Sequence, residues 1–225
     1  MKILISGAAK GIGLAVAKRF LSCDNEVIGL DIVDSPIVDK RYTHYICDVK
    51  NPDSLPYIKG VEILFLNAGR QNGEDDIADN LYGCISVTEK YAFQSEIKSV
   101  LFNASASASS GFEFPYYVAS KAGVVGYMKN VAVRLAEFKA TANSISLGGV
   151  LTESNLPVIS DNKLWKKIMD STPLKKWMTE DEVCDWVVFL TTVNRSMTGE
   201  DVFIDNGEYK LNSTFVWPSA ADGNK

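Results

Sequence analysis

The sequence contains one histidine, His44, and four cysteines, none of which forms a Cys-x-x-Cys pair. Protein zinc and iron–sulfur centres are usually built from clusters of these two residue types, so no metal centre is expected. The scattered thiols also argue against a disulfide framework and favour a reducing compartment.

Basic residues are in the minority, with 23 Lys and Arg against 28 Asp and Glu and a net charge of −5. A duplex-binding surface normally needs a basic excess, so no nucleic acid partner is expected. No apolar run approaches the roughly 20 residues of a membrane helix, and the apolar start ends at Ser6, too early for a secretion signal. We therefore expect a cytoplasmic protein without a membrane partner.

Short apolar runs alternate with longer helical patterns, which predicts an α/β fold: a doubly wound (Rossmann-like), mostly parallel seven-stranded sheet with helices on both faces. A chain of 225 residues with 46% hydrophobic content suits one core, so we predict a single domain over residues 1–210 and a tail over 211–225 with a mobile end. The predicted strands are Ile3–Ser6, Glu26–Asp31, His44–Asp48, Glu62–Asn67, Ser99–Ser105, Thr141–Leu147 and Asp201–Asp205. The predicted helices are Ile12–Ser22, Ala78–Glu96, Tyr117–Lys139 and Glu180–Thr192, and the connection from Asp48 to Gly60 is too broken by proline for a long helix.

A glycine-rich segment follows the first predicted strand and opens the first helix, with Gly7, Gly11 and Gly13 in the spacing GxxxGxG around Lys10 and Ile12. Glycines in this context permit a tight turn and let backbone N–H groups approach a pyrophosphate, which the positive helix N-terminus also attracts. The alternative is a glycine-rich turn that binds nothing. The context favours a dinucleotide site.

Asp31 closes the second predicted strand, near the position expected for the carboxylate that binds the adenosine ribose hydroxyls. A carboxylate there repels a 2′-phosphate, so Asp31 favours NAD over NADP. Lys10 argues the other way, because a cation beside the second glycine attracts that phosphate. We give Asp31 more weight, since its expected position is against the ribose itself. The alternative is that Asp31 is a plain strand-end residue.

Together with later motifs, this segment resembles the short-chain dehydrogenase/reductase family of compact single-domain type, over nearly all of Lys2 to Gly207. Gly7–Gly13 matches the family's cofactor turn, and Cys47–Val49 resembles the segment that contacts adenine through Asp48 and Val49. Asn67-Ala68-Gly69 is similar to the fourth-strand motif at the cofactor, Tyr117–Lys121 to YxxxK, and Ile204–Gly207 to the closing strand. The resemblance implies an NAD-dependent enzyme that moves a hydride between the cofactor and an alcohol or carbonyl substrate.

Tyr117 and Lys121 stand four residues apart at the start of a helical pattern, so both side chains project from one helix face. A phenol titrates near pH 10, and a nearby ammonium lowers its pKa towards the range useful for acid–base catalysis. The resemblance implies that Tyr117 protonates the carbonyl oxygen during reduction, while Lys121 tunes it and binds the nicotinamide ribose. A surface Tyr and Lys on an amphipathic helix are the alternative.

The resemblance also implies a serine at the fifth strand that holds the substrate oxygen. Ser105 is closest in spacing to Tyr117, although the commonest alignment from Asn103 puts Ala106 at this position. Ser105 and Ser107 share a strand face in the predicted strand, so both are candidates. We choose Ser105.

Further roles come from the resemblance alone. Asn80 resembles the helix asparagine that holds a water in the proton relay, with an exposed helix asparagine as the alternative. After the sixth strand, the Val150 backbone and the Thr152 hydroxyl would face the carboxamide and a phosphate.

The substrate and the assembly are less constrained. The resemblance implies that the segment from Glu153 to Lys176 closes over the substrate. Large apolar residues of this segment and of the one before Tyr117 are candidates for the lining of a moderately apolar pocket: Phe112, Phe114, Tyr116, Leu156, Trp165, Ile168 and Met169. A 3-oxoacyl or hydroxysteroid-like substrate is one expectation from the resemblance. The resemblance implies a homodimer or homotetramer that pairs through the helix from Tyr117 and the one after Asn80. A dinucleotide-binding sensor that lost efficient chemistry is the alternative to an enzyme.

Overall fold

Seven parallel strands form one sheet in a computed structural model, which describes residues 1–71, 73–111 and 114–211. The strand order is β3-β2-β1-β4-β5-β6-β7. Successive strands are therefore added on one side of β1 up to β3 and on the other side from β4 onwards, so the strand order reverses between β1 and β4. In open α/β sheets, ligands bind outside the carboxyl ends of the strands at such a reversal. The strands are β1 (Lys2–Ser6), β2 (Glu26–Asp31), β3 (Tyr42–Ile46), β4 (Ile63–Leu66), β5 (Ser99–Asn103), β6 (Thr141–Leu147) and β7 (Asp201–Ile204).

Helices cover both faces of this sheet, because alternate residues of each buried strand point to opposite sides. Ile3 and Ile5 of β1 face one core, which α1 and α7 complete, whereas Leu4 faces a second core completed by α2 and α4. The α-helices are α1 (Gly11–Ser22), α2 (Gly83–Tyr91), α3 (Ser107–Ser110), α4 (Pro115–Leu135), α5 (Leu156–Ile159), α6 (Asn162–Ser171) and α7 (Glu180–Val188). Two π-helical segments, Ile77–Tyr82 and Phe189–Val193, are continuous with α2 and α7, and 3₁₀ turns occur at Pro52–Ser54, Ala136–Phe138 and Glu153–Asn155.

The predicted α/β architecture is confirmed, with all seven strands present, and residues 47–62 contain a single 3₁₀ turn and no long helix, as predicted. The bounds of the third strand were wrong. It spans Tyr42–Ile46, so each end lies two residues before the predicted one. Its last residue, Ile46, pairs with Asp31 at the end of β2. This edge strand is largely exposed, so its apolar pattern is a weak guide to its register.

The fifth strand is also shorter than predicted, because it ends at Asn103 and the chain enters α3 at Ser107. Ser105 and Ser107 therefore do not share a strand face, and that part of the prediction is wrong. Helix α6 was not predicted, since its sequence lies in a segment interpreted as a substrate-covering loop. The predicted mobile end of the tail lies outside the described residues.

Candidate functional site

The glycine turn between β1 and α1 has the geometry of a phosphate-binding bend. Gly7 adopts a φ of +68°, and a Cβ on Gly13 would stand 1.9 Å from the Gly7 carbonyl oxygen, so neither position accepts a side chain without a shift. At Gly11, where φ is +53°, a Cβ would meet nothing within 4 Å. Backbone at this bend is thus open to a ligand beside the N-terminus of α1.

Asp31 lies at the end of β2 against this turn. Its carboxylate accepts hydrogen bonds from the Ala9 N–H at 2.9 Å and from the Ile32 N–H at 2.8 Å. Ile32 and Val33 line the same cleft and are 67% and 46% exposed, which is unusual for apolar residues beside a site unless a ligand covers them. The exposed apolar pair and the carboxylate therefore mark this end of the cleft as a ligand surface.

Asp48 and Val49 follow β3 and line the cleft beside Asp31. The Asp48 carboxylate accepts a hydrogen bond from the Lys50 N–H at 2.9 Å, which fixes the loop. Lys10 and Ile12 of the glycine turn also line the cleft, and Lys10 is exposed.

The Asn67-Ala68-Gly69 segment leaves β4 directly beneath the glycine turn. The N–H groups of Asn67 and Ala68 both donate to the Ser6 hydroxyl at 3.1 Å, and the Asn67 amide donates to the Gly7 carbonyl at 3.0 Å. A Cβ on Gly69 would stand 2.8 Å from Asn80 Oδ1, so this glycine permits the close approach of the π-helical segment.

Asn80 is 1% exposed in that segment, which excludes an exposed helix asparagine. Its side chain accepts from the Arg70 N–H at 2.7 Å and donates to the Arg70 carbonyl at 2.8 Å and the Ser120 hydroxyl at 2.9 Å. Asn80 therefore ties the loop after β4 to helix α4. It is absent from the described cleft lining, so its side chain holds the site's framework.

Both Tyr117 and Lys121 lie in the first turns of α4 and line the cleft. The Lys121 amine lies 5.8 Å from the Tyr117 ring centroid and donates to the Asn103 carbonyl at 2.7 Å. Lys121 is only 5% exposed, and burial lowers its pKa from 10.5 to about 8. Perturbed buried amines are typical of catalytic sites.

Ser105 lines the cleft, whereas Ser107 and Ala106 are absent from the described lining. The Ser107 hydroxyl and N–H both donate to Ser105 Oγ, at 2.9 and 3.2 Å. With its lone pairs engaged, the Ser105 hydroxyl retains a proton to donate into the cleft. The two candidate serines are therefore hydrogen-bonded to each other, with Ser105 in the cleft lining and Ser107 behind it.

The loop after β6 forms the opposite wall through Gly148, Gly149, Val150 and Thr152. A Cβ on Gly149 would stand 1.9 Å from the Trp177 ring, so this glycine permits the close approach of the indole to the loop. The Val150 carbonyl accepts from the Asn155 amide at 2.8 Å, and the Leu151 N–H donates to the Met178 carbonyl at 2.8 Å.

One cleft of about 540 Å³ collects nearly all the predicted site residues at the carboxyl ends of the strands. Gly13 and Asn80 are the two outside its described lining, and both support it from behind. Trp177 and Tyr209 also line it and were missed, because neither lies in a motif. The lining residues among the predicted set are Gly7, Lys10, Gly11, Ile12, Asp31, Asp48, Val49, Asn67, Ala68, Gly69, Ser105, Tyr117, Lys121, Val150 and Thr152.

The predicted apolar pocket is not found in this lining. Phe114, Tyr116 and Leu156 are about half exposed and stand outside it, as do Trp165, Ile168 and Met169, while Phe112 lies outside the described residues. Across residues 1–71, 73–111 and 114–211, no three His, Cys, Asp or Glu side chains come together as a metal site. None of the helices in those ranges has the length and apolarity to span a bilayer.

Comparison with known proteins places this site in context. A family model described as enoyl-(acyl carrier protein) reductase matches residues 58–208. The 3-oxoacyl-[acyl-carrier-protein] reductase FabG of Buchnera aphidicola subsp. Acyrthosiphon pisum is 27% identical, covering 92% of this chain and 96% of the relative. The (+)-borneol dehydrogenase 1 of Salvia officinalis is also 27% identical, covering 93% and 94%.

Solved structures show the same fold. A 4-hydroxyisoleucine dehydrogenase mutant complexed with NADH and succinate aligns with a TM-score of 0.86 at 25% identity, over 95% of this chain and all of that chain. The aldohexose dehydrogenase of Thermoplasma acidophilum aligns with a TM-score of 0.83 at 25% identity, over 96% of each chain.

Proposed function

This chain belongs to the short-chain dehydrogenase/reductase family and is an NAD-dependent oxidoreductase of alcohol and carbonyl groups, and from that premise we propose that Tyr117 is its acid–base residue. The observation that carries the proposal is the convergence of Tyr117, Lys121 and Ser105 on the cleft that also contains the glycine turn. Proton donor, cation and oxygen-binding hydroxyl thus face one substrate-sized space.

The residues present fit the dinucleotide. The open backbone at Gly11 and the N-terminus of α1 suit the pyrophosphate, Asp31 suits the adenosine ribose, and Asp48 and Val49 suit the adenine. We assign the nicotinamide end to the Val150 backbone and Thr152. When bound, the cofactor supplies the hydride for carbonyl reduction and accepts one in alcohol oxidation.

During reduction, the Ser105 hydroxyl donates a hydrogen bond to the substrate oxygen and orients the carbonyl carbon. Tyr117 gives its phenolic proton to that oxygen as negative charge develops there, and the alcohol forms. The Lys121 ammonium stabilises the resulting phenolate and binds the nicotinamide ribose. In oxidation each proton moves in the opposite direction.

The sensor alternative rested on the irregular serine segment. Because Ser105 lines the cleft and Ser107 supports it, that segment supplies the hydroxyl that an enzyme requires. We retain the enzyme.

We further propose that residues 1–210 act as one catalytic domain and that the protein lies in the cytoplasm. We also propose that the protein forms a homodimer or homotetramer. The observation that favours pairing through α4 is an exposed valine, Val133, which is 76% exposed on that helix. Val133→Glu should shift the mass measured by light scattering towards the monomer, and an unchanged mass would exclude pairing at this position.

A substrate screen tests the proposed function. Small ketones, secondary alcohols, an aldose and a 3-oxoacyl thioester are each mixed with the protein and NADH or NAD, or with the phosphorylated cofactors, and NADH absorbance is followed. Turnover with the unphosphorylated cofactor is expected for at least one carbonyl–alcohol pair. NADH binding without turnover across the whole panel would instead support the sensor.

A further inference from the structure

A continuous series of hydrogen bonds joins the glycine turn to the buried lysine. The Asn67 amide nitrogen donates to the Gly7 carbonyl at 3.0 Å, and the Asn103 amide nitrogen donates to Asn67 Oδ1 at 2.9 Å. The Asn103 main-chain carbonyl then accepts from the Lys121 amine at 2.7 Å. The series crosses from the end of β1 to the ends of β4 and β5 and finishes on α4.

The orientation of both amides follows from chemistry. The Gly7 carbonyl is only an acceptor, so Asn67 must turn its nitrogen towards it and its oxygen towards Asn103. Asn103 must therefore present its nitrogen, and its own Oδ1 has no hydrogen-bond partner among the residues that the structure describes. The orientation of both amides is therefore fixed by the Gly7 carbonyl.

We propose that Asn103 is a positioning residue, which fixes the Lys121 amine relative to the cofactor turn by holding the end of β5 against Asn67. This inference rests on the proposed role of Lys121 in the reaction. Asn103 acts through two bonds at once, because its side chain is anchored on Asn67 and its carbonyl receives the ammonium.

The groups around the Lys121 amine act on its pKa in opposite directions. Asp76 and the Cys84 thiol both act to raise the Lys121 pKa, but burial outweighs them. Tyr117 stands beside the amine on the same helix, with its ring centroid at 5.8 Å. If the end of β5 loosened, water would reach the amine and its pKa would move from about 8 back towards 10.5.

The direct test is the titration of Lys121 by NMR in ligand-free protein with ¹³C-labelled lysine side chains, assigned by the signal that Lys121→Met removes. Asn103→Ala should raise the Lys121 pKa by about half a unit or more as water enters. Asn103→Ser provides a second variant with the same expected direction if the alanine variant folds poorly.

Asn143→Ala is the matched control. Asn143 is a buried asparagine of the neighbouring strand β6, and its side chain donates to the Met197 carbonyl at 2.8 Å and accepts from the Glu200 N–H at 3.1 Å. This variant should lose comparable stability without moving the Lys121 titration. An unmoved titration in the Asn103 variants, or an equal shift in Asn143→Ala, would overturn the proposal.

Kinetics give a second readout on the best substrate of the screen. Asn103→Ala should lower kcat about tenfold with little change in NADH affinity, and adding Asn67→Ala should cost less than the two single effects combined. Additive losses would contradict one connected series. Failure of the proposed function is a different result, because Tyr117→Phe would then retain turnover whatever the Lys121 titration shows.

Discussion

Replacing Lys121 by methionine should stabilise the ligand-free protein at neutral pH while abolishing its activity. Lys121 as a residue is 5% exposed, and the pKa of its amine falls from 10.5 to about 8, chiefly because burial disfavours the charged form. At about 1.4 kcal/mol per pKa unit, the buried ammonium costs about 3 kcal/mol at pH 7. Methionine fills similar space without charge.

Part of this gain is lost, because the substitution leaves the Asn103 carbonyl without its donor at a cost of about 1–3 kcal/mol. We expect a net stabilisation of about 1 kcal/mol at pH 7. The folded pKa lies below the unfolded one, so the folded state binds fewer protons between pH 8 and 10.5 and the wild type gains stability as pH rises through this window. By pH 10 the advantage of the variant should fall by about 2 kcal/mol and reverse in sign.

Urea unfolding at pH 7 and pH 10 without cofactor measures both values. Lys129→Met is the matched control, since Lys129 is an exposed lysine of the same helix and its replacement should give no pH-dependent difference. Two results would contradict this prediction. One is a Lys121→Met variant that is less stable than wild type at pH 7, and the other is a stability difference between the two proteins that is the same at pH 7 and pH 10.

Three further substitutions test other parts of the cleft. Asp31→Ala should narrow the preference for NAD over NADP about tenfold in kcat/KM, because the carboxylate no longer repels a 2′-phosphate, and an unchanged ratio would remove Asp31 from that role. Gly13→Ala places a methyl 1.9 Å from the Gly7 carbonyl and should weaken NADH binding about tenfold or more by calorimetry; unchanged affinity would show that the turn need not be tight. Ser107→Ala should lower kcat about tenfold by freeing the Ser105 hydroxyl, with full activity as the contradicting result.

The buried parts of the fold were the most predictable from sequence. Strands β2 and β6 have the predicted bounds. All seven residues of β6 are buried although four of them are polar, and Gly148 and Gly149 mark its end. The edge strand β3 was misplaced by two residues, since an exposed strand has little hydrophobic pattern to fix its register. Helix α6 was missed although Leu164, Trp165 and Ile168 recur at helical spacing, because its segment was interpreted as one that covers the substrate.

Among the site residues, the features that depend on local spacing were predictable, and those that depend on tertiary contacts were not. Spacing alone predicted that Tyr117 and Lys121 share a helix face, and both line the cleft. The relation of Ser107 to Ser105 was not predictable, because it depends on the chain leaving β5 at Asn103 and entering α3. Trp177 lines the cleft beside Gly149, and this is a tertiary contact that no local pattern records.

The turnover of Tyr117→Phe measures whether the Tyr117 phenol supplies the proton to the substrate oxygen. Tyr116→Phe is the matched control, because the adjacent tyrosine is 51% exposed and outside the described cleft lining. We expect Tyr117→Phe to lower kcat by about 10² to 10⁴ with NADH affinity nearly unchanged, while Tyr116→Phe keeps wild-type rates. Wild-type turnover by Tyr117→Phe would contradict this expectation.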